Sequence, residues 1–212
     1  MVEHDPIEEE SMTAVLPLVD SRMLERHDLT VDDLADLPED LRYELIDGRL
    51  VLTPHALPLH QVIQLRTAYA IEANCPEDDF VVNGDQAILM SLRSELKPDV
   101  VLVRMEGSLR SPVLPADVPL VVEIISRSSR ADDRDRKMKD YALVGIPHYW
   151  IIDPLAERVT FTQYLLGADG NYHQQVHTDE RITIHSPWEI TLDPPSWTRK
   201  RARMNEVGRR DR

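Results

Sequence analysis

Two carboxylates stand out in this sequence because each meets a run of residues that is otherwise apolar. In Leu120-Val121-Val122-Glu123-Ile124-Ile125 the apolar pattern is that of a strand covered on both faces, and Glu123 sits inside it. Burying that charge is costly unless a cation, a metal ion or a proton compensates it. The alternative is a glutamate at the open end of the strand, or one paired with an arginine. Pro98-Asp99 precedes the apolar run Val100 to Val103 and puts a second carboxylate at the start of a neighbouring strand. Alone, such an aspartate can be a turn residue. Together, the two create an oxygen-rich site suited to Mg²⁺ or Mn²⁺, ions that activate water and stabilise charge on a phosphoryl group. Glu44 breaks the alternation of an earlier strand and offers a third oxygen, or is an exposed strand residue.

Other polar residues are less specific. Asp133, Lys137 and Tyr141 are spaced by four and share one helix face, which spacing alone reads as a solvated face. Lys139 lies about 200° around the helix from Lys137, so the two ammonium groups cannot serve one site. Arg127, Arg130, Arg134 and Arg136 could contact phosphates or balance the acidic residues near them. His60 begins a helical segment without a definable step. His173 and His177 would share a strand face, but two histidines without further ligands do not make a metal site. Cys75, the single cysteine, reads as a small core residue.

The elements that must position these groups follow from periodicity. Thr30, with Asp33 three residues on, caps a short helix ending near Pro38. Tyr43 to Ile46 and Leu50 to Leu52 flank Asp47-Gly48, a dipeptide that accepts the positive φ of a tight hairpin turn. The spacing predicts a helix from Leu59 to Ala73. Strands are predicted over Phe80 to Met90, Asp99 to Val103 and Leu120 to Ile125, followed by a charged helix from Asp132 to Val144 and a strand from His148 to Ile152. The remainder, Val159 to Leu166, Tyr172 to Thr178, Ile182 to His185 and Ile190 to Leu192, reads as antiparallel β.

The chain of 212 residues is expected to form one domain over 28–198, between an acidic, weakly held tail at 1–27 and a basic tail at 199–212. No apolar stretch approaches the roughly 20 residues that cross a bilayer, and the N-terminus is acidic, so a soluble cytoplasmic protein without membrane attachment is expected. The net charge of -14 works against nucleic-acid binding, but it is unevenly spread. Residues 1–40 carry -11 and residues 199–212 carry +5, leaving about -8 for the middle. No basic face is evident in that middle, so engagement of a nucleic acid must be local or metal-assisted.

Glu44-Leu-Ile-Asp-Gly, His60, Pro98-Asp99-Val-Val, Val-Val-Glu123-Ile-Ile-Ser126, Asp133, Lys137, Tyr141, Gly145 and Tyr149-Trp150-Ile-Ile-Asp153-Pro154 together resemble the Uma-type family of putative restriction endonucleases, within the PD-(D/E)XK nuclease superfamily. The resemblance implies an α/β, restriction-endonuclease-like fold: a central mixed β-sheet flanked by helices, with extra antiparallel strands. It implies Asp99 and Glu123 as ligands of Mg²⁺ or Mn²⁺, the backbone carbonyl of Ile124 as a further contact to the metal, and Glu44 as another acidic site residue. The superfamily's usual lysine, two residues after the glutamate, is replaced here by Ile125, and Lys137 resembles a relocated equivalent. The expected function is a metal-dependent endonuclease whose partner is nucleic acid, DNA in the first instance, with a homodimer implied by the same resemblance. Two alternatives are a catalytically silent interaction module that binds a protein, and a nuclease acting on RNA or branched substrates.

Overall fold

The computed structural model describes residues 21–35, 37–38, 41–76, 78–127 and 131–210, the side chains of 21 and 131–133 excepted. The expected acidic tail therefore lies largely outside the described residues. After a short helix α1 (Ser21–Glu25) and a 3₁₀ turn over Val31–Leu34 come the hairpin strands β1 (Tyr43–Ile46) and β2 (Arg49–Leu52), then α2 (Pro58–Glu72). The turn is capped as its sequence requires, with the Thr30 amide and hydroxyl both donating to the Asp33 carboxylate. At the hairpin tip Asp47 and Gly48 have φ of 49° and 80°. A Cβ at Gly48 would lie 2.6 Å from the Arg93 guanidinium and 2.8 Å from the His27 carbonyl, so this position requires glycine twice over.

Strands β3 (Phe80–Gly84), β4 (Ile88–Ser91), β5 (Ser94–Leu96), β6 (Val100–Arg104) and β7 (Leu120–Ile124) lead to α3 (Ala131–Leu143) and β8 (His148–Asp153). Then follow β9 (Thr160–Leu166), β10 (Tyr172–Thr178), β11 (Ile182–Ile184), β12 (Ile190–Leu192) and α4 (Pro194–Arg210). Six strands form the central mixed sheet in the order β10-β9-β8-β7-β6-β3, and β2-β1-β5-β4 form a smaller antiparallel sheet. Only β7 and β8 are paired in parallel within the large sheet, as the intervening α3 crossover allows.

Alternation along the central strands fills two cores. Val100, Leu102, Leu120, Val122, Ile124, Trp150 and Ile152 face α2, α4 and the β11–β12 hairpin, where Ile63, Ile71 and Trp197 are buried against them. Val101, Val103, Val121, Tyr149 and Ile151 face the other way, against Tyr141 of α3 and Ile88 and Leu96 of the small sheet. With both faces covered, any polar side chain among these positions needs a partner.

The structure departs from the sequence reading in several places, among them three in the sheets and at the C-terminal helix. The predicted strand from Phe80 to Met90 is two strands in different sheets, broken at Asp85, whose φ of 54° turns the chain. β5 was not anticipated, since Ser94-Glu95-Leu96 is too short and polar to show a period. The basic segment 199–212, expected to be weakly held, is the body of α4 up to Arg210. Trp197 is 2% exposed, and Arg201 donates to the carbonyls of Pro154, Ala156 (2.7 Å) and Glu157. The charge count of that segment concealed a helix whose inward face is held by one tryptophan and one arginine.

Arg201→Ala should accordingly lower stability by about 1–3 kcal/mol, the scale of losing hydrogen bonds from a charged donor. Urea denaturation is the measurement; a frayed tail would give no change.

Candidate active site

β6 and β7 pair antiparallel with Val100 opposite Val122, so the next position along the same register sets Asp99 across from Glu123. Glu123 belongs to the face covered by α3, flanked in sequence by Val122 and Ile124, which face the other way. The alternation that builds the sheet thus delivers both carboxylates to one end of the central strands.

Asp99 is fixed from two sides. Its Oδ1 meets His60 Nε2 of α2 at 2.8 Å, and its Oδ2 accepts the Ile124 amide at 2.6 Å. Gln64, one turn further along α2, donates to the Asp99 carbonyl at 2.7 Å. That contact depends on Gly84 of β3, opposite Val100, because a Cβ there would lie 2.9 Å from the Gln64 amide nitrogen. In an antiparallel pair a residue directs its N–H and C=O toward the same neighbouring strand, so the Ile124 carbonyl also lies on the β6 side.

Glu123 is held from α3. Lys137 Nζ lies 3.1 Å from Glu123 Oε1 and 2.8 Å from Glu44 Oε1, and the Tyr141 hydroxyl donates to the same Glu123 oxygen at 2.7 Å. Glu44, on β1, also receives the Lys97 amide at 3.3 Å. The side chains of Lys137, Glu44 and Glu123 are only 11%, 7% and 13% exposed. Lys137 and Tyr141 reach one carboxylate because residues four apart share a helix face, whereas Lys139 points to solvent. The solvated-face reading of this spacing does not hold for these two residues. The Asp133 side chain lies outside the described residues.

Among the described residues, the hydrogen bonds that Glu123 accepts converge on Oε1, leaving Oε2 with open lone pairs. Burial pushes the Glu123 carboxyl up to about 7. Lys137 and the Tyr141 hydroxyl act against that rise, while Asp99 and Glu44 add to it. Burial also disfavours the His60 imidazolium, but the hydrogen bond and charge of Asp99, with Asp85 and Glu123 beyond it, outweigh that effect and raise its pKa. The donor set is thus rich in oxygen and in negative charge, with one ammonium among three carboxylates. Among the described residues no three His, Cys, Asp or Glu side chains form a ready-made cage. Two carboxylates and a neighbouring carbonyl are nevertheless the kind of set that fits Mg²⁺, which retains several waters and takes phosphate oxygens as further ligands.

The remaining candidates separate from this centre. Arg136 pairs with Asp140 at 2.7 Å and Arg134 approaches Asp153 at 3.9 Å, so both balance nearby acids. Arg127 is exposed, and Arg130 lies outside the described residues. His173 and His177 do not share a face. A β-bulge between Gln174 and Val176 sets them opposite Leu165 and Thr162, an odd separation on β9 that puts them on opposite sides of the sheet. Cys75 is half-buried against the core just beyond α2. The sequence reading missed Gln64, whose signal was its one-turn spacing from His60.

Comparison with known proteins adds the following. A family model, Uma2, described as "Putative restriction endonuclease", matches residues 31–193. No curated protein matches the chain. Among solved structures, one titled as a putative nuclease belonging to DUF820 from Anabaena variabilis superposes with a TM-score of 0.61 at 17% identity, covering 80% of this chain and 99% of that one. This similarity is one of fold.

The Glu123 carboxyl makes stability depend on pH. Its pKa is raised from 4.5 to about 7, so between those values the folded protein holds a proton that the unfolded chain releases. Without metal, stability should therefore be fullest below about pH 4.5 as regards this group, and decline as pH rises toward 7. Glu123→Gln should remove that decline, shifting the melting temperature by a few degrees relative to wild type near neutrality. Parallel pH–melting profiles of the two proteins, in chelator, measure the difference.

Proposed function

The chain belongs to the Uma2 family, and on that premise we propose that it is a metal-dependent nuclease hydrolysing a phosphodiester bond in DNA. The observation that supports this reading best is the register-matched pair Asp99 and Glu123, with Lys137 against the glutamate. Restriction-endonuclease-like proteins generally use divalent metal ions. Here Asp99, Glu123 and the Ile124 carbonyl would hold Mg²⁺ or Mn²⁺, which when bound would lower the pKa of a water and draw charge from a phosphoryl oxygen.

The chain's own residues then have distinct tasks. His60 and the Ile124 amide fix both oxygens of Asp99, so its carboxylate is oriented before any ligand arrives. Tyr141 does the same for Glu123 by occupying Oε1 and leaving Oε2 available. Glu44 holds the Lys137 ammonium in place. Lys137 donates to the attacking water or to the scissile phosphate, where a preorganised cation is worth most as negative charge develops. Binding of a divalent ion would displace the proton that Glu123 otherwise takes up below about pH 7, so metal affinity should rise with pH.

One observation favours a second reading. With a net charge of -14, the chain would suit a catalytically silent module whose acidic surface meets a basic protein. A cleavage assay over duplex, single-stranded and branched DNA and over RNA, with and without Mg²⁺ or Mn²⁺, separates the readings and assigns the substrate.

Asp99→Asn and Glu123→Gln should each abolish metal-dependent cleavage and the rise in melting temperature that Mn²⁺ gives the wild type, with the fold intact by circular dichroism. Wild-type cleavage by either variant would refute the centre. Lys137→Ala should slow cleavage by roughly 100-fold or more and keep the Mn²⁺ shift, while Lys139→Ala should cost little.

A further inference from the structure

α4 carries an exposed basic face in a protein that is otherwise acidic. Trp197 and Arg201, four residues apart, form its inward row, continued by half-buried Met204. At 100° per residue, Arg199 and Arg203 lie about 200° from that row, and Arg210, seven residues beyond Arg203, returns to the same outward side. All three are exposed, with Lys200 and Arg209 exposed on either flank. Among the described residues, Arg203 is the one in this row with an ion pair, at 3.1 Å to Glu206, both side chains more than half exposed, and such a pair yields readily to a stronger anion.

The position of this face matters as much as its charge. Arg201 is bound to the carbonyls of Pro154, Ala156 and Glu157, and the Val159 amide donates to the Thr198 hydroxyl at 2.9 Å. These residues follow directly from the C-terminal end of β8. Because β7 and β8 run parallel with Glu123 beside Ile151, that is the end of the sheet at which Asp99 and Glu123 meet. α4 also packs against α2, the helix that carries His60 and Gln64, with the Arg66 guanidinium donating to the Ser196 hydroxyl at 3.4 Å. The outward row therefore sits on a helix anchored at the active end of the sheet.

We infer that the Arg199, Arg203 and Arg210 face of α4 docks the sugar-phosphate backbone of a nucleic acid, leading it toward the Asp99–Glu123 centre. Charge complementarity selects the occupant. The row spans about 16 Å, from 11 residues at 1.5 Å each, and a polyanion with a phosphate every few ångströms meets all three guanidinium groups at once. Arginine suits this task because its planar fork matches phosphate oxygens. The inference rests on the nuclease reading for its destination, but docking requires no chemistry, so the two can be tested separately.

The experiment is fluorescence anisotropy of a labelled duplex and of a single strand with the full chain in EDTA, from about 50 to 200 mM salt. Arg199→Gln/Arg203→Gln/Arg210→Gln should make the slope of log K against log salt shallower by about 2–3 and weaken binding at low salt by roughly 10-fold or more. The Arg→Lys triple variant, which keeps the charges, should retain most of the wild-type slope, and Arg49→Gln/Arg110→Gln, on other elements, should retain all of it. An unchanged slope in the Gln triple variant overturns the proposal, even if the wild type cleaves DNA. So does a wild type with no salt-dependent binding, or a Gln variant that converts a dimer to a monomer in sedimentation, which would make the row a contact between copies. A protein that binds with the expected slope change and never cleaves sustains this proposal and removes the nuclease reading instead.

Discussion

The Lys137 ammonium is the interaction on which the arrangement of the site depends. A glutamate inside a sheet covered on both faces must be neutralised, and Glu123 is neutralised in part by a cation delivered from the helix that covers it. The same ammonium binds Glu44, which belongs to the smaller sheet. One positive charge thus ties together the large sheet, the small sheet and α3. Removing a buried partner of this kind leaves an uncompensated charge, and for that reason Lys137 cannot be replaced as freely as a surface lysine.

Much of this was legible in the sequence, and the reasons differ by residue. Glu123 was visible because it interrupts an apolar strand, and Asp99 because it begins one. Their meeting was a guess about adjacency, which the antiparallel register of β6 and β7 supplies. The i,i+4 row of Lys137 and Tyr141 was readable, but spacing alone read it as solvated. Family resemblance turned Lys137 into a site residue, and the apolar Met138 and Ala142, which with Tyr141 mark the side of the helix nearest Lys137, favoured it over Lys139. The β-bulge that separates His173 from His177 was invisible, because an inserted residue leaves the sequence pattern unmarked.

α4 illustrates a different limit. Its seven cations and a glycine, counted with residues 211 and 212, gave a segment the composition of a loose tail. Composition averages over the helix, whereas Trp197 and Arg201 act on one side of it. The buried aromatic, the guanidinium bound to carbonyls and the Thr198 hydroxyl all lie on the docked side of the helix, and most of its charge is left outward.

The parallel pairing of β7 with β8 has a consequence for how the chain acquires its site. The two strands are separated by 23 residues that include α3, so their contact closes a longer loop than the hairpins around it and is entropically slower to form. Before that closure Glu123 stands in water and carries its charge at little cost. The event that brings α3 down over the strand removes the water, and in the same movement brings Lys137 and Tyr141 to the carboxylate. The desolvation penalty and its compensation are coupled on the folding coordinate, so the chain need not pass through a compact state in which this glutamate is buried alone.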